Sequence, residues 1–118
     1  MTSRGREVWG EVVSADASGA VAFTLYTMGE DAQAVTLGET EYLHITDVDL
    51  VVAAAGVAGI YTITVAAGER IVCGTWAASG GISRSYNTPH TCPRGVVPVV
   101  IGVAGVVHAV IHGFITNA

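Results

Sequence analysis

Turn residues punctuate this chain at intervals of about 8–12 residues, and short runs of alternating apolar and polar side chains lie between them. That rhythm constrains the fold more than any other feature. A helix needs a sustained 3.6-residue period and a capped start, and no window supplies both. Val21-Ala-Phe-Thr-Leu-Tyr26 puts Val21, Phe23 and Leu25 on one side of an extended chain. Tyr61-Thr-Ile-Thr-Val65 alternates in the same way, and residues 70–77 place Val72, Gly74 and Trp76 together. Further strands are expected at residues 7–14 and 34–37. Residues 42–53 are the longest candidate, with Leu43, Ile45 and Asp47 on one face and His44, Thr46 and Val48 on the other. The alternation lapses from Leu50 to Ala55, which predicts burial on both sides or a bulge. Residues 87–95 hold two prolines and read as a long ordered loop.

The stretch from Val96 to Ile115 is apolar enough to suggest a spanning helix. Pro98, Gly102, Gly105, Gly113, His108 and His112 interrupt it, and its apolar residues are mainly β-branched, which favours strands. It is expected to form two buried strands, 96–103 and 106–116, joined near Ala104-Gly105. The pattern as a whole predicts an all-β, single-domain β-sandwich, jelly-roll-like, of about eight antiparallel strands. The domain is expected over residues 7–118, with residues 1–6 as an N-terminal arm.

Half of the chain is hydrophobic (51%) and only 13% is charged, against about 25% charged in typical soluble domains. A chain of 118 residues has a high surface-to-volume ratio, so other protein chains are expected to cover part of its apolar surface. The five basic residues are all arginines, scattered at positions 4, 6, 70, 84 and 94, and the net charge is −5. Without a basic stripe, direct nucleic-acid binding is not expected, and neither is membrane insertion. The polar start Met-Thr-Ser-Arg-Gly-Arg-Glu carries no apolar signal core, which predicts a chain made in a cytosol. Cys73 and Cys92 are then expected to remain two separate buried thiols.

No pattern with catalytic spacing is present. His90-Thr-Cys92 offers two metal-ligand types, but a zinc site needs about four ligands, so no metal or cofactor is expected. Asp47 and Asp49 share a face near His44; they read as a solvated edge or a bend rather than an acid–base pair. Ser79-Gly80-Gly81 lacks the strand–turn–helix frame of a nucleophile elbow, and no enzyme is predicted. The last strand is more informative. Val107, Ala109, Ile111 and Ile115 form one face; Val106, His108, Val110, His112 and Phe114 form the other. The second face is expected to lie between subunits, where charging of its histidines would weaken the contact.

Two segments, Val35-Thr-Leu-Gly-Glu-Thr-Glu-Tyr-Leu-His-Ile-Thr-Asp47 and Val107-His-Ala-Val-Ile-His-Gly-Phe-Ile115, together with the long middle strands, resemble small decoration (cement) proteins of tailed bacteriophages. The resemblance spans residues 8–116 loosely and lies in size, strand rhythm and the glycine-interrupted last strand. It implies a jelly-roll structural protein of the virion. Such a protein is made in the host cytoplasm, sits on the capsid exterior as a homotrimer, and binds the major capsid protein without catalysis. Under it, Thr2, Arg4 and Arg6 become candidate capsid contacts, arginine being suited to partner carboxylates. Three other roles stay open. One is a trimeric receptor-binding or tail-fibre head using Tyr86-Asn-Thr-Pro-His90, another is a carbohydrate-binding module, and the last is a cupin-like enzyme drawing on His44, His90, His108 and His112.

Overall fold

A computed structural model of the chain describes residues 6–16, 21–28, 32–52, 59–64, 70–76, 79–101 and 104–117. They form ten strands: β1 (Arg6–Asp16), β2 (Val21–Ala22), β3 (Thr24–Thr27), β4 (Ala34–Val35), β5 (Glu41–Val52), β6 (Gly59–Thr64), β7 (Arg70–Trp76), β8 (Gly81–Thr91), β9 (Val99–Ile101) and β10 (Ala104–Asn117). All pairings are antiparallel. The strands build a β-sandwich of a six-stranded sheet, β4-β3-β1-β10-β5-β8, and a four-stranded sheet, β2-β9-β6-β7.

The order has a simple logic. β1 pairs with β10, β2 with β9, β5 with β8, and β6 with β7. The chain is thus folded back on itself as nested pairs, and that long hairpin is rolled up through the contacts β10–β5 and β6–β9. Eight strands in this nested order are a jelly roll. β3 and β4 extend it beyond β1. The segment read as one strand over Val21 to Tyr26 is two, because the chain changes sheets at buried Phe23.

Both inner faces supply the core. Val8, Val12, Leu25, Leu43, Ile45, Leu50, Val107 and Ile111 come from one sheet; Tyr61, Ile63, Val72 and Val100 come from the other. Each such side chain contributes about 1.5–3 kcal/mol on burial. Among the described residues only Met28, Val51 and Ile101 are large hydrophobics left exposed. Most of the described apolar side chains are thus buried or half-buried.

One irregularity sets the phase of β5. Its neighbour β10 pairs His112 with Asp47 and Gly113 with Ile45, so Thr46 is an extra residue. This bulge turns Leu43 and Ile45, then Val48, Leu50 and Val52, all inward. Asp47 does not share a face with Ile45, as strict alternation predicted; a break lies at Thr46, and residues 53–55 of the run that starts at Leu50 lie outside the described residues. The Thr46 hydroxyl donates to the His112 carbonyl at 3.2 Å, bridging the interrupted ladder. A second bulge leaves Ile71 extra in β7, and the Tyr86 hydroxyl donates to its carbonyl at 3.2 Å.

Other boundaries also moved. Residues 87–91 belong to β8, not to a loop, because β8 is an edge strand and its register slips between Ser85 and His90, where Pro89 costs no ladder bond. Ala104 and Gly105 lie inside β10, which at 14 residues is longer than β5 at 12. Arg6 opens β1 rather than ending an arm; residues 1–5, with Thr2 and Arg4, lie outside the described residues. Most of the turns read at 16–19, 29–31, 56–59 and 67–69 also fall outside them. No helix among the described residues is long and apolar enough to cross a membrane.

Candidate functional site: the outer face of the six-stranded sheet

The register across β1, β10, β5 and β8 gathers outward side chains into rows. The first row is Glu7, Phe114, His44 and Thr91. The second is Tyr26, Trp9, His112, Asp47 and Ser85. In the third lie Thr24, Glu11, Val110, Asp49 and Ser83. His108 and Val51 stand side by side beyond them. Neighbours in a row are close enough to interact directly, and diagonal neighbours are within reach of long side chains.

The rows account for the contacts. Trp9 and Tyr26 stack with ring centroids 4.7 Å apart. His44 stacks on Phe114, also at 4.7 Å. The His44 ring nitrogens meet the Thr91 hydroxyl at 2.8 Å and the Thr116 hydroxyl at 2.7 Å. Asp47 accepts from Ser85 at 2.6 Å and from Thr46 at 2.9 Å. His108 lies diagonally 3.7 Å from the Glu11 carboxylate. Beside the bulge, Glu7, Met28, Thr46, Asp47 and His112 surround a shallow depression of about 220 Å³, floored by Val8 and Gly113.

The sequence-derived face of β10 is real as a face. Val107, Ala109, Ile111 and Ile115 are buried; Val110, His112 and Phe114 are half-buried outward, and His108 is exposed. Val106 lies on β10, but its side chain is outside the described ones. Sequence reasoning missed the flanks. Glu11 and Asp49 bracket Val110, and Trp9 and Asp47 bracket His112. No periodicity within one strand announces its neighbours. Asp47 and Asp49 sit on an interior strand, so they do not guard a sheet edge.

Burial holds the His44 imidazole below its ordinary pKa of about 6.5. The unfolded chain therefore takes up this proton first. Stability from the neutral ring is complete above about pH 6.5 and is lost as pH falls toward the folded pKa. The thermal midpoint is expected to drop between neutral pH and pH about 5.5, and to drop less in His44→Gln. Equal drops in scanning calorimetry would remove His44 as the cause. Glu41 shifts downward too, first through the Gly38 amide, which donates at 2.7 Å, and then through Arg6 at 2.8 Å. Arg6, a candidate capsid contact, is thus tied to a carboxylate of its own chain.

Chemistry-bearing residues outside this face are dispersed. Cys73 is exposed on the outer side of the four-stranded sheet, a correction to the expectation that it is buried, whereas Cys92 is buried; both are free thiols. Cys92 lies in the other sheet's layer, where its amide donates to the Leu43 carbonyl at 2.8 Å. Among the described residues no three or more His, Cys, Asp or Glu side chains gather closely enough to hold a metal ion. Ser85 gives its hydroxyl proton to Asp47, an arrangement suited to positioning a carboxylate rather than to activating a nucleophile. The site is a surface, built of stacked rings, carboxylates and imidazoles. No protein family, curated protein or solved structure matches this chain.

Proposed function

We propose that the protein is a non-catalytic structural component of a virion: a jelly-roll decoration protein that assembles as a homo-oligomer, a trimer, on the outside of a phage capsid. One observation carries the reading. The outer face of the six-stranded sheet concentrates Trp9, Tyr26, Tyr42, Val110 and Phe114 in half-buried positions over a core that is already closed. Folding does not require that density of rings on an outward face; covering by another protein does. Residues Thr2, Arg4 and Arg6 and the β10 row of Val106, His108, Val110, His112 and Phe114 are the contacts this reading uses.

Light scattering is expected to return about three times the 12.1 kDa chain mass. A mass of one chain at every concentration would overturn the homo-oligomer. A second reading, a glycan-binding module, draws on the Trp9–Tyr26 pair beside the depression. Each ring already spends one face on the other, which leaves less platform for a sugar.

A further inference from the structure

We infer that the outer face of the six-stranded sheet docks an arginine-bearing segment of another protein, rather than a second copy of this chain. The inference rests on the reading that protein covers this face, and it names the partner's chemistry. It also reverses the roles expected from sequence, where the β10 row met sister subunits.

Charge carries the argument. The described outward positions include four carboxylates, Glu7, Glu11, Asp47 and Asp49. No described outward position on this sheet holds an arginine, and the chain has no lysine. Arg6 and Arg84 pair with inward positions, opposite Ile115 and Val48, and Arg6 is bound to Glu41. Two copies meeting through this face would bring acid toward acid around Val110, at a cost that like charges always carry. A guanidinium meets the opposite situation. Its planar fork suits carboxylates such as Glu11 and Asp49, which flank Val110, and its flat face suits an aromatic ring such as Trp9, the neighbouring outward residue to Glu11 on β1. Trp9 and Glu11 are successive outward residues of β1, and Asp47 and Asp49 of β5, so one basic segment crossing β10 can reach a ring and carboxylates together.

His108, 3.7 Å from the Glu11 carboxylate, and His112, between Trp9 and Asp47, are the other polar side chains that an incoming segment meets on β10.

The test uses the full chain and a labelled peptide of alternating arginine and glycine, followed by fluorescence anisotropy. Saturable binding is expected at neutral pH, weakened by salt and absent for the matched glutamine peptide. The double variant Glu11→Gln, Asp49→Asn is expected to lose about tenfold or more in affinity with an unchanged circular dichroism spectrum. Glu39→Gln, in an exposed turn, is the control for net charge and is expected to bind normally. Equal weakening by Glu39→Gln, retained binding in the double variant, or equal binding of the glutamine peptide would overturn the inference. So would a glycan ligand lost in Trp9→Ala but kept in the double variant. A trimer that dissociates on Val110→Asp would also overturn it, yet leave the homo-oligomeric structural role standing. A monomer that binds the arginine peptide would do the reverse.

Discussion

Gly113→Ala is expected to cost at least about 3 kcal/mol, the upper end for overpacking, although it adds a single methyl group. A Cβ at Gly113 would stand 2.0 Å from the His44 carbonyl oxygen and 3.2 Å from the Ile45 Cα. Both obstacles are backbone of the adjacent strand, so no side-chain rotation relieves them. The close approach follows from the bulge: skipping Thr46 draws β5 across Gly113. The strands would have to part where Val8, Ile45 and Ile111 pack, and the depression over Gly113 would open with them. Urea denaturation of Gly113→Ala beside Gly38→Ala makes the comparison. A Cβ at Gly38 meets only the tip of Glu41, at 3.0 Å, and a flexible carboxylate can yield. Equal midpoints for the two variants would mean that the β5–β10 contact is looser than described.

Tyr61→Ala is expected to cost about 3–5 kcal/mol, the range for truncating a large buried ring. Tyr61 is wholly buried and leads the fully buried side chains by volume. It stands on β6, an interior strand of the four-stranded sheet, and fills the layer between the sheets. Ile63, Val100 and Leu50 of the same core cluster are themselves fully buried, so a void left there has little means of collapsing. In urea the midpoint should fall sharply while the dependence on denaturant stays near that of the parent. A loss under about 1 kcal/mol would place Tyr61 at a boundary rather than in the core. The outer face offers a contrast: exposed substitutions such as Ser83→Ala should stay within about 0.5 kcal/mol.

These two positions show how different parts of the molecule are encoded. Tyr61 could be placed from its own segment, because Tyr61, Ile63 and their polar partners alternate and alternation assigns faces. The same rule separated Val107, Ala109, Ile111 and Ile115 from His108, Val110, His112 and Phe114. It failed at Thr46. One extra residue inverts every face beyond it, and only pairing with β10 shows which residue is extra. Gly113 signals trouble in a strand by its type, but the carbonyl it makes room for comes from a residue 69 positions earlier, His44.

The candidate site divides along the same line. His108, His112 and Phe114 were legible as one outward row of a single strand. Trp9, Glu11, Asp47 and Asp49 became their neighbours only when β1 and β5 closed on the two sides of β10. That closure turned an apolar row into an acidic one and changed the partner it suits.

By itself, the sequence determined an all-β chain, the absence of a helical period, and the inward or outward sense of each uninterrupted strand. Those are local properties, because a pleated chain of period two sorts its own side chains. The tertiary structure alone decided the nested pairing that makes the sandwich a jelly roll, the change of sheet at Phe23, the bulge at Thr46, and the company that the β10 row keeps. Those depend on contacts between residues far apart in the chain, and no single strand carries the identity of its neighbours.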